Sequence, residues 1–132
     1  MGGHVINGAH VLLYSENPDA DRAFFRDVLK FPNVDAGGGW LIFALPASEA
    51  AFHPADAETR QTHGDRRLLG AVLYLMCKDL RAEIQRLEKR NVKCTEISEE
   101  PWGIKTTIIL PSGGEIGLYQ PKHKTALRLR SK

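Results

Sequence analysis

The chain has 132 residues, 42% of them hydrophobic and 26% charged, so it is long enough for one domain with a core of its own. The tail after Pro121 holds five of the 18 basic residues and no acidic residue, which leaves 13 basic and 16 acidic residues in the body and argues against nucleic-acid binding. No apolar run reaches the roughly 20 residues of a membrane-spanning helix, and no secretory signal is visible, so we expect a cytoplasmic protein without a membrane partner.

The first predicted elements are a strand and a helix that follow each other directly. A strand is predicted over residues 5–14 because apolar side chains alternate there, and it places His10 among residues that favour burial. Asn17 and the proline after it predict the start of an amphipathic helix, which ends before Pro32. Three short strands are predicted next, over residues 33–36, 40–45 and 48–53.

The same order of elements then returns. Residues 55–67 are polar and without periodicity, which predicts a linker. A strand over 68–77 follows, then a helix that Asp79 begins, and then strands over 92–97, 104–110 and 115–120. Asn17 and Asp79 are 62 positions apart, and so are Trp40 and Trp102. We therefore predict two modules, residues 5–54 and 68–121, and a basic tail, residues 122–132, that is solvated or docks on a partner.

Each module is too small to fold alone, so the two should share a core in an α+β fold. The strand containing Val72, Tyr74 and Met76 is apolar on both faces, and helices cover only one face of such a sheet. The other face must close on itself, on a second copy of the chain or on a ligand, and a cavity is expected there. Cys77 and Cys94 form no CxxC motif and are predicted to be free thiols.

These features resemble the vicinal oxygen chelate superfamily, which includes glyoxalase I, bleomycin-resistance proteins and type I extradiol dioxygenases. The resemblance rests on the strand and helix around His10, the repeat of this strand-helix pair at 72–87, and the ending Gly113-Gly-Glu-Ile-Gly-Leu-Tyr-Gln-Pro121. It implies two tandem βαβββ modules whose mixed sheets curl into a cup or half-barrel with the helices outside, usually completed by dimerisation. It also implies a divalent ion in the cup of metal-dependent members, held by an early His and a late Glu of each module.

The ligand set that this resemblance implies is incomplete in this chain. His10 matches the first position, but the other three positions fall on Ala50, Val72 and Gly117, whose side chains cannot coordinate an ion. Glu115 lies on the same face as Gly117, displaced by about 7 Å along the strand. Zinc, iron, manganese or nickel could then bind if His10 and Glu115 act together across a dimer interface.

The residues predicted to line the cavity are aromatic or apolar, and they are Leu12, Tyr14, Phe52, Tyr74, Met76, Trp102 and Tyr119. Such a lining suits a flat organic ligand and is also typical of a packed core. Two functions stay open for the expected homodimer. One is a protein that binds a small organic molecule without a metal. The other is a glyoxalase-like lyase or dioxygenase with His10 and Glu115 as catalytic groups. For His10 a hydrogen-bonded core histidine is the structural alternative.

Overall fold

The computed structural model of the protein describes residues 6–59 and 61–129. Its helices are α1 (Pro18–Asp27) and α2 (Leu80–Glu88), and a 3-10 turn covers Ala57–Thr59. The strands are β1 (Asn33–Asp35), β2 (Leu41–Phe43), β3 (Gln61–His63), β4 (Arg66–Leu68), β5 (Tyr74–Met76), β6 (Ser98–Glu100), β7 (Gly103–Ile109) and β8 (Glu115–Pro121). Residue 5 of the predicted first strand, residue 60 of the predicted linker and residues 130–132 of the predicted tail lie outside the described residues.

The main sheet has four strands in the order β5-β8-β7-β6, and the strand pairs β1-β2 and β3-β4 are separate hairpins. Strand β5 runs parallel to β8, whereas β7 is antiparallel to both of its neighbours, β8 and β6. The predicted α+β fold with mixed sheets is thus confirmed, and the described strands do not close into a barrel.

Both helices begin where the sequence predicts. The side chain of Asn17 accepts a hydrogen bond from the backbone N–H of Ala20, and Asp79 accepts one from Ala82 at 3.1 Å. Each side chain thus satisfies a backbone donor that the first turn leaves unpaired. Asn91 has a φ of 62° and ends the second helix, as expected of a residue that tolerates the left-handed region. In the described part of the chain, neither helix is long and apolar enough to cross a membrane.

One hydrophobic core lies between the helices and one face of the main sheet. Its helix residues come from both predicted modules, because Phe24 and Phe25 of α1 belong to the same cluster as Leu80 and Leu87 of α2. The sheet and its connections contribute Val92, Ile108, Leu110, Ile116 and Leu118. The two halves of the chain therefore depend on a common core, as their small size predicts.

Several predicted strands are absent or shorter. Residues 7–15 and 48–53 form neither helix nor strand, so the strands predicted over 5–14 and 48–53 are wrong for the single chain. The strand predicted over 68–77 is reduced to β5 and the last residue of β4, and residues 92–97 keep only a bridge from Cys94 to Ile108. Residues 55–67, predicted as a linker, contain the 3-10 turn and most of the β3-β4 hairpin. Apolar side chains do alternate at 5–14 and 48–53, but a strand needs a neighbouring backbone to pair with, and the described residues form no sheet pairing there.

The chain exposes more surface than a compact monomer should. Its accessible area is 10510 Å², whereas a folded monomer of 14.7 kDa exposes roughly 6,900 Å². Many of the exposed side chains are large and apolar, and they include Ile6, Val11, Leu12, Leu13, Tyr14, Phe52, Leu69 and Val72. Apolar surface of this extent marks a site for a ligand or for another protein surface.

Candidate functional site

The candidate site lies on the face of the main sheet that turns away from the core. Side chains alternate along a strand, and Ile116 and Leu118 of β8 are in the core, so Glu115, Gly117 and Tyr119 belong to the opposite face. The register places Tyr74 of β5 and Thr107 of β7 on either side of Gly117 and Lys105 beside Tyr119. We call this surface the cup face.

Three aromatic rings form a wall on the cup face. Tyr74, Trp102 and Tyr119 contact one another edge to face, with ring centroids 5.2–6.2 Å apart. Each such contact contributes about 0.5–1.5 kcal/mol beyond the area that it buries, so the three rings hold one another in place. Tyr119 is buried, whereas 36% of Trp102 is exposed, which leaves that indole accessible to a ligand. The ammonium of Lys105 lies 5.6 Å from the Trp102 ring centroid.

The ring of Tyr74 occupies the space that a side chain at position 117 would need. A Cβ atom added to Gly117 would lie 2.3 Å from Cδ2 of Tyr74, well inside contact distance. Position 117 is where the resemblance implies a metal-binding Glu, and Ala50 and Val72 offer no ligand atom either. Among the described residues, no three His, Cys, Asp or Glu side chains stand close enough to hold an ion together. The residues at these positions do not fit a divalent metal.

A cavity of about 250 Å³ opens beside the wall. It is lined by Leu13, Ala71, Val72, Leu73, Tyr74, Thr107, Glu115, Ile116 and Gly117. The cavity therefore combines one aromatic ring and several aliphatic side chains with a single carboxylate. This composition suits a largely apolar molecule with one polar group.

The other predicted site residues lie apart from this cavity. His10 is exposed and is not among the residues that line it, although Leu13 of the same segment is. Leu12 and Tyr14 are also exposed, and Phe52 is 90% exposed. Met76 is half-buried opposite Tyr119 in the register of β5 and β8. Of the seven predicted lining residues, the structure brings Tyr74, Trp102 and Tyr119 together.

The tail contacts its own chain next to the aromatic wall, which sequence reasoning missed. The Nδ1 atom of His123 lies 2.8 Å from the backbone oxygen of Lys124, and a carbonyl only accepts, so Nδ1 carries a proton. In the neutral ring Nε2 then accepts the hydroxyl proton of Tyr119, at 2.9 Å. Glu49 accepts from the N–H of Ala126 at 2.6 Å. The spacing of four residues between Tyr119 and His123 could have indicated their hydrogen bond, but no sequence feature indicates the contact of Glu49 with the tail.

Burial disfavours the ionisation of three side chains, those of Tyr119, Cys77 and Cys94. Burial, and secondarily the charge of Glu49, raises the pKa of Tyr119, so its hydroxyl stays protonated at neutral pH. The two cysteines are free thiols, as predicted. Burial raises the pKa of Cys77 to about 11 and also raises the pKa of Cys94. Neither thiol is therefore an activated nucleophile.

Comparison with known proteins was made by sequence and by structure. No protein-family model matches the sequence, and no curated protein matches it. Among solved structures, TnmS3, an antibiotic binding protein from Streptomyces sp. CB03234, matches with a TM-score of 0.58 at 20% identity, over 91% of this chain and 100% of that one. A lactoylglutathione lyase from Agrobacterium tumefaciens matches with a TM-score of 0.57 at 20% identity, over 86% and 92% of the two chains.

A third match is a member of the glyoxalase/bleomycin resistance protein/dioxygenase superfamily from Sphaerobacter thermophilus DSM 20745. Its TM-score is 0.55 at 20% identity, over 89% of this chain and 99% of that one. At this level of sequence identity, the three matches establish the fold of the chain and nothing more. The chain has the vicinal oxygen chelate fold that the resemblance implied.

Proposed function

We propose that this protein binds a small, flat organic molecule on the cup face, without a metal ion, and that it does so as a homodimer. The observation that carries the proposal is the ring of Tyr74 over Gly117. It replaces a coordinating side chain with an aromatic surface at the centre of the cup. A site built in this way cannot coordinate an ion at this position, but its aromatic surface can stack against the ring system of a ligand.

The composition of the cup face supports binding rather than catalysis. The aromatic wall presents Trp102 partly exposed and held by two tyrosine rings. The hydroxyl of Tyr119 bonds to His123, so it is engaged with the tail. TnmS3, one of the structural matches, is an antibiotic binding protein, which is consistent with this use of the fold.

A second copy of the chain is the proposed cover for the exposed apolar residues. Specific dimers bury about 800 Å² or more on each partner, and the excess area of this chain is well above that value. The segment 7–15 has the alternating apolar pattern of a strand, but within residues 6–59 and 61–129 it is not paired as part of a sheet. Pairing with a second copy would supply that partner and enclose the cavity, to which Leu13 already contributes.

The proposal is tested by the fluorescence of Trp102. The chain has two tryptophans, so Trp40→Phe leaves Trp102 as the sole indole reporter. Titration of this variant with neutral bicyclic aromatic compounds should quench or shift its emission in a saturable way, because a ligand in the cavity lies against Tyr74, whose ring contacts the indole. The matched variant Trp102→Phe, which keeps only Trp40, should show no saturable change. A panel of such compounds that gives no saturable change with Trp40→Phe would contradict the proposal.

A further inference from the structure

The lining of the cavity beside the aromatic wall includes Glu115, an exposed residue at the start of β8. Of the nine lining residues, Tyr74, Thr107 and Glu115 have polar groups in their side chains, and Glu115 is the one with a charge. The Thr107 hydroxyl lies 2.8 Å from the hydroxyl of Thr95 and is engaged there. Within the described part of the chain, the side chain of Glu115 makes no hydrogen bond and no ion pair. From this placement we infer that the ligand carries a positive charge, as a protonated organic amine, and that Glu115 pairs with it; the inference rests on the proposed function.

The charge of the ligand follows from the loss of water that Glu115 would undergo when a ligand binds. A ligand that fills the cavity removes water from the carboxylate, and a buried charge without a partner is strongly unfavourable. A neutral or anionic molecule would therefore lose affinity at this position. A protonated amine supplies the opposite charge, and the ring of Tyr74, which lines the same cavity, attracts a cation through its π face.

Among the described residues, two lysines lie on the cup face, and neither forms an ion pair with Glu115. Glu115 is paired with Ile109 in the register, whereas Lys105 is paired with Tyr119, four residues further along the strand, a separation of about 13 Å. Lys93 lies on the other side of Ile109, two strands or about 10 Å from Glu115. Both backbone separations exceed the screening length at physiological salt. The cavity lies at the Glu115 end of the cup face, away from Lys105 and Trp102.

The size of the cavity limits the amine. At about 250 Å³ it is smaller than the roughly 300–1,000 Å³ typical of sites for drug-sized ligands. A primary or secondary amine on one or two aromatic rings is the class of compound that combines this size with the apolar lining.

The experiment compares three naphthalene compounds that share a ring system and differ in charge. They are 1-naphthylmethylamine, 1-naphthalenemethanol and 1-naphthoate, and their binding is measured by equilibrium dialysis at low salt and neutral pH. The wild-type protein should bind the amine about tenfold or more tighter than the alcohol, and the carboxylate most weakly. The variant Glu115→Gln should lose this preference, because it binds the amine more weakly and the alcohol at least as tightly as the wild type does. Glu96→Gln, an exposed glutamate outside the cavity, should behave as wild type.

The outcomes separate the inference from the proposed function. Equal binding of amine and alcohol by the wild type, or an unchanged preference in Glu115→Gln, would overturn the role of Glu115 and leave aromatic binding in place. An equal loss of preference in Glu96→Gln would assign the effect to net charge and overturn it too. Failure of all three compounds to bind would overturn the proposed function together with the inference.

Discussion

A single methyl group added at position 117 is expected to lower the free energy of unfolding by roughly 1–3 kcal/mol, the usual effect of overpacking. The Cβ atom of Gly117→Ala would lie 2.3–2.7 Å from three ring atoms of Tyr74, so the ring must move. Moving it breaks its edge-to-face contacts with Trp102 and Tyr119. Urea denaturation gives the loss in stability, and the affinity for aromatic compounds should fall with it.

Two further variants show whether Tyr74 is the cause. Gly114→Ala, on the same hairpin, meets only the hydroxyl of Ser112 at 3.4 Å, so its stability should stay within about 0.5 kcal/mol of wild type. The double variant Tyr74→Ala/Gly117→Ala should be less destabilised than the sum of the single variants, because the ring that the methyl group strikes is gone. Additive losses would show that position 117 and Tyr74 are independent, contrary to the structure.

A charge at position 52 is expected to convert the proposed dimer to monomers. Phe52 is 90% exposed in the single chain, where replacement by Glu would normally change little. In a dimer that covers this ring, Phe52→Glu would bury an unpaired carboxylate, and association should weaken at least about 30-fold. Sedimentation velocity over a concentration series measures the dissociation constant.

The conservative variant Phe52→Leu keeps an apolar side chain and should remain dimeric at the same concentrations. A wild-type protein that sediments as a monomer of 14.7 kDa at high concentration would contradict the dimer. A dimer that Phe52→Glu leaves intact would show that this ring lies outside the interface. That result would leave the proposed ligand binding on the cup face unaffected, because neither the aromatic wall nor the cavity includes Phe52.

Much of the fold could be predicted because it depends on local patterns. The caps at Asn17 and Asp79 and the apolar periodicity of the helices are properties of neighbouring residues, and they placed both helices within a few positions. The strands over 5–14 and 48–53 were mispredicted for a different reason. Alternation identifies a segment that could pair, but pairing depends on a backbone elsewhere, and no sheet of the described part of the chain includes these two segments.

The site was less predictable because it depends on contacts between distant residues. The sequence showed Gly117 where the resemblance implies a metal ligand. It did not show that the ring of Tyr74 would occupy the space of a side chain at that position. That contact follows from the parallel pairing of β5 with β8, which no local pattern encodes. The contact of Glu49 with the tail at Ala126 is of the same kind, since these residues are far apart in the chain.

A calorimetric titration with an aromatic amine, before and after exhaustive dialysis against EDTA, shows whether binding on the cup face requires a metal ion. The expected result is the same dissociation constant in both states, because the cup face offers an aromatic ring where a metal ligand would stand. Loss of binding after EDTA, with recovery on one equivalent of zinc, iron, manganese or nickel, would contradict it.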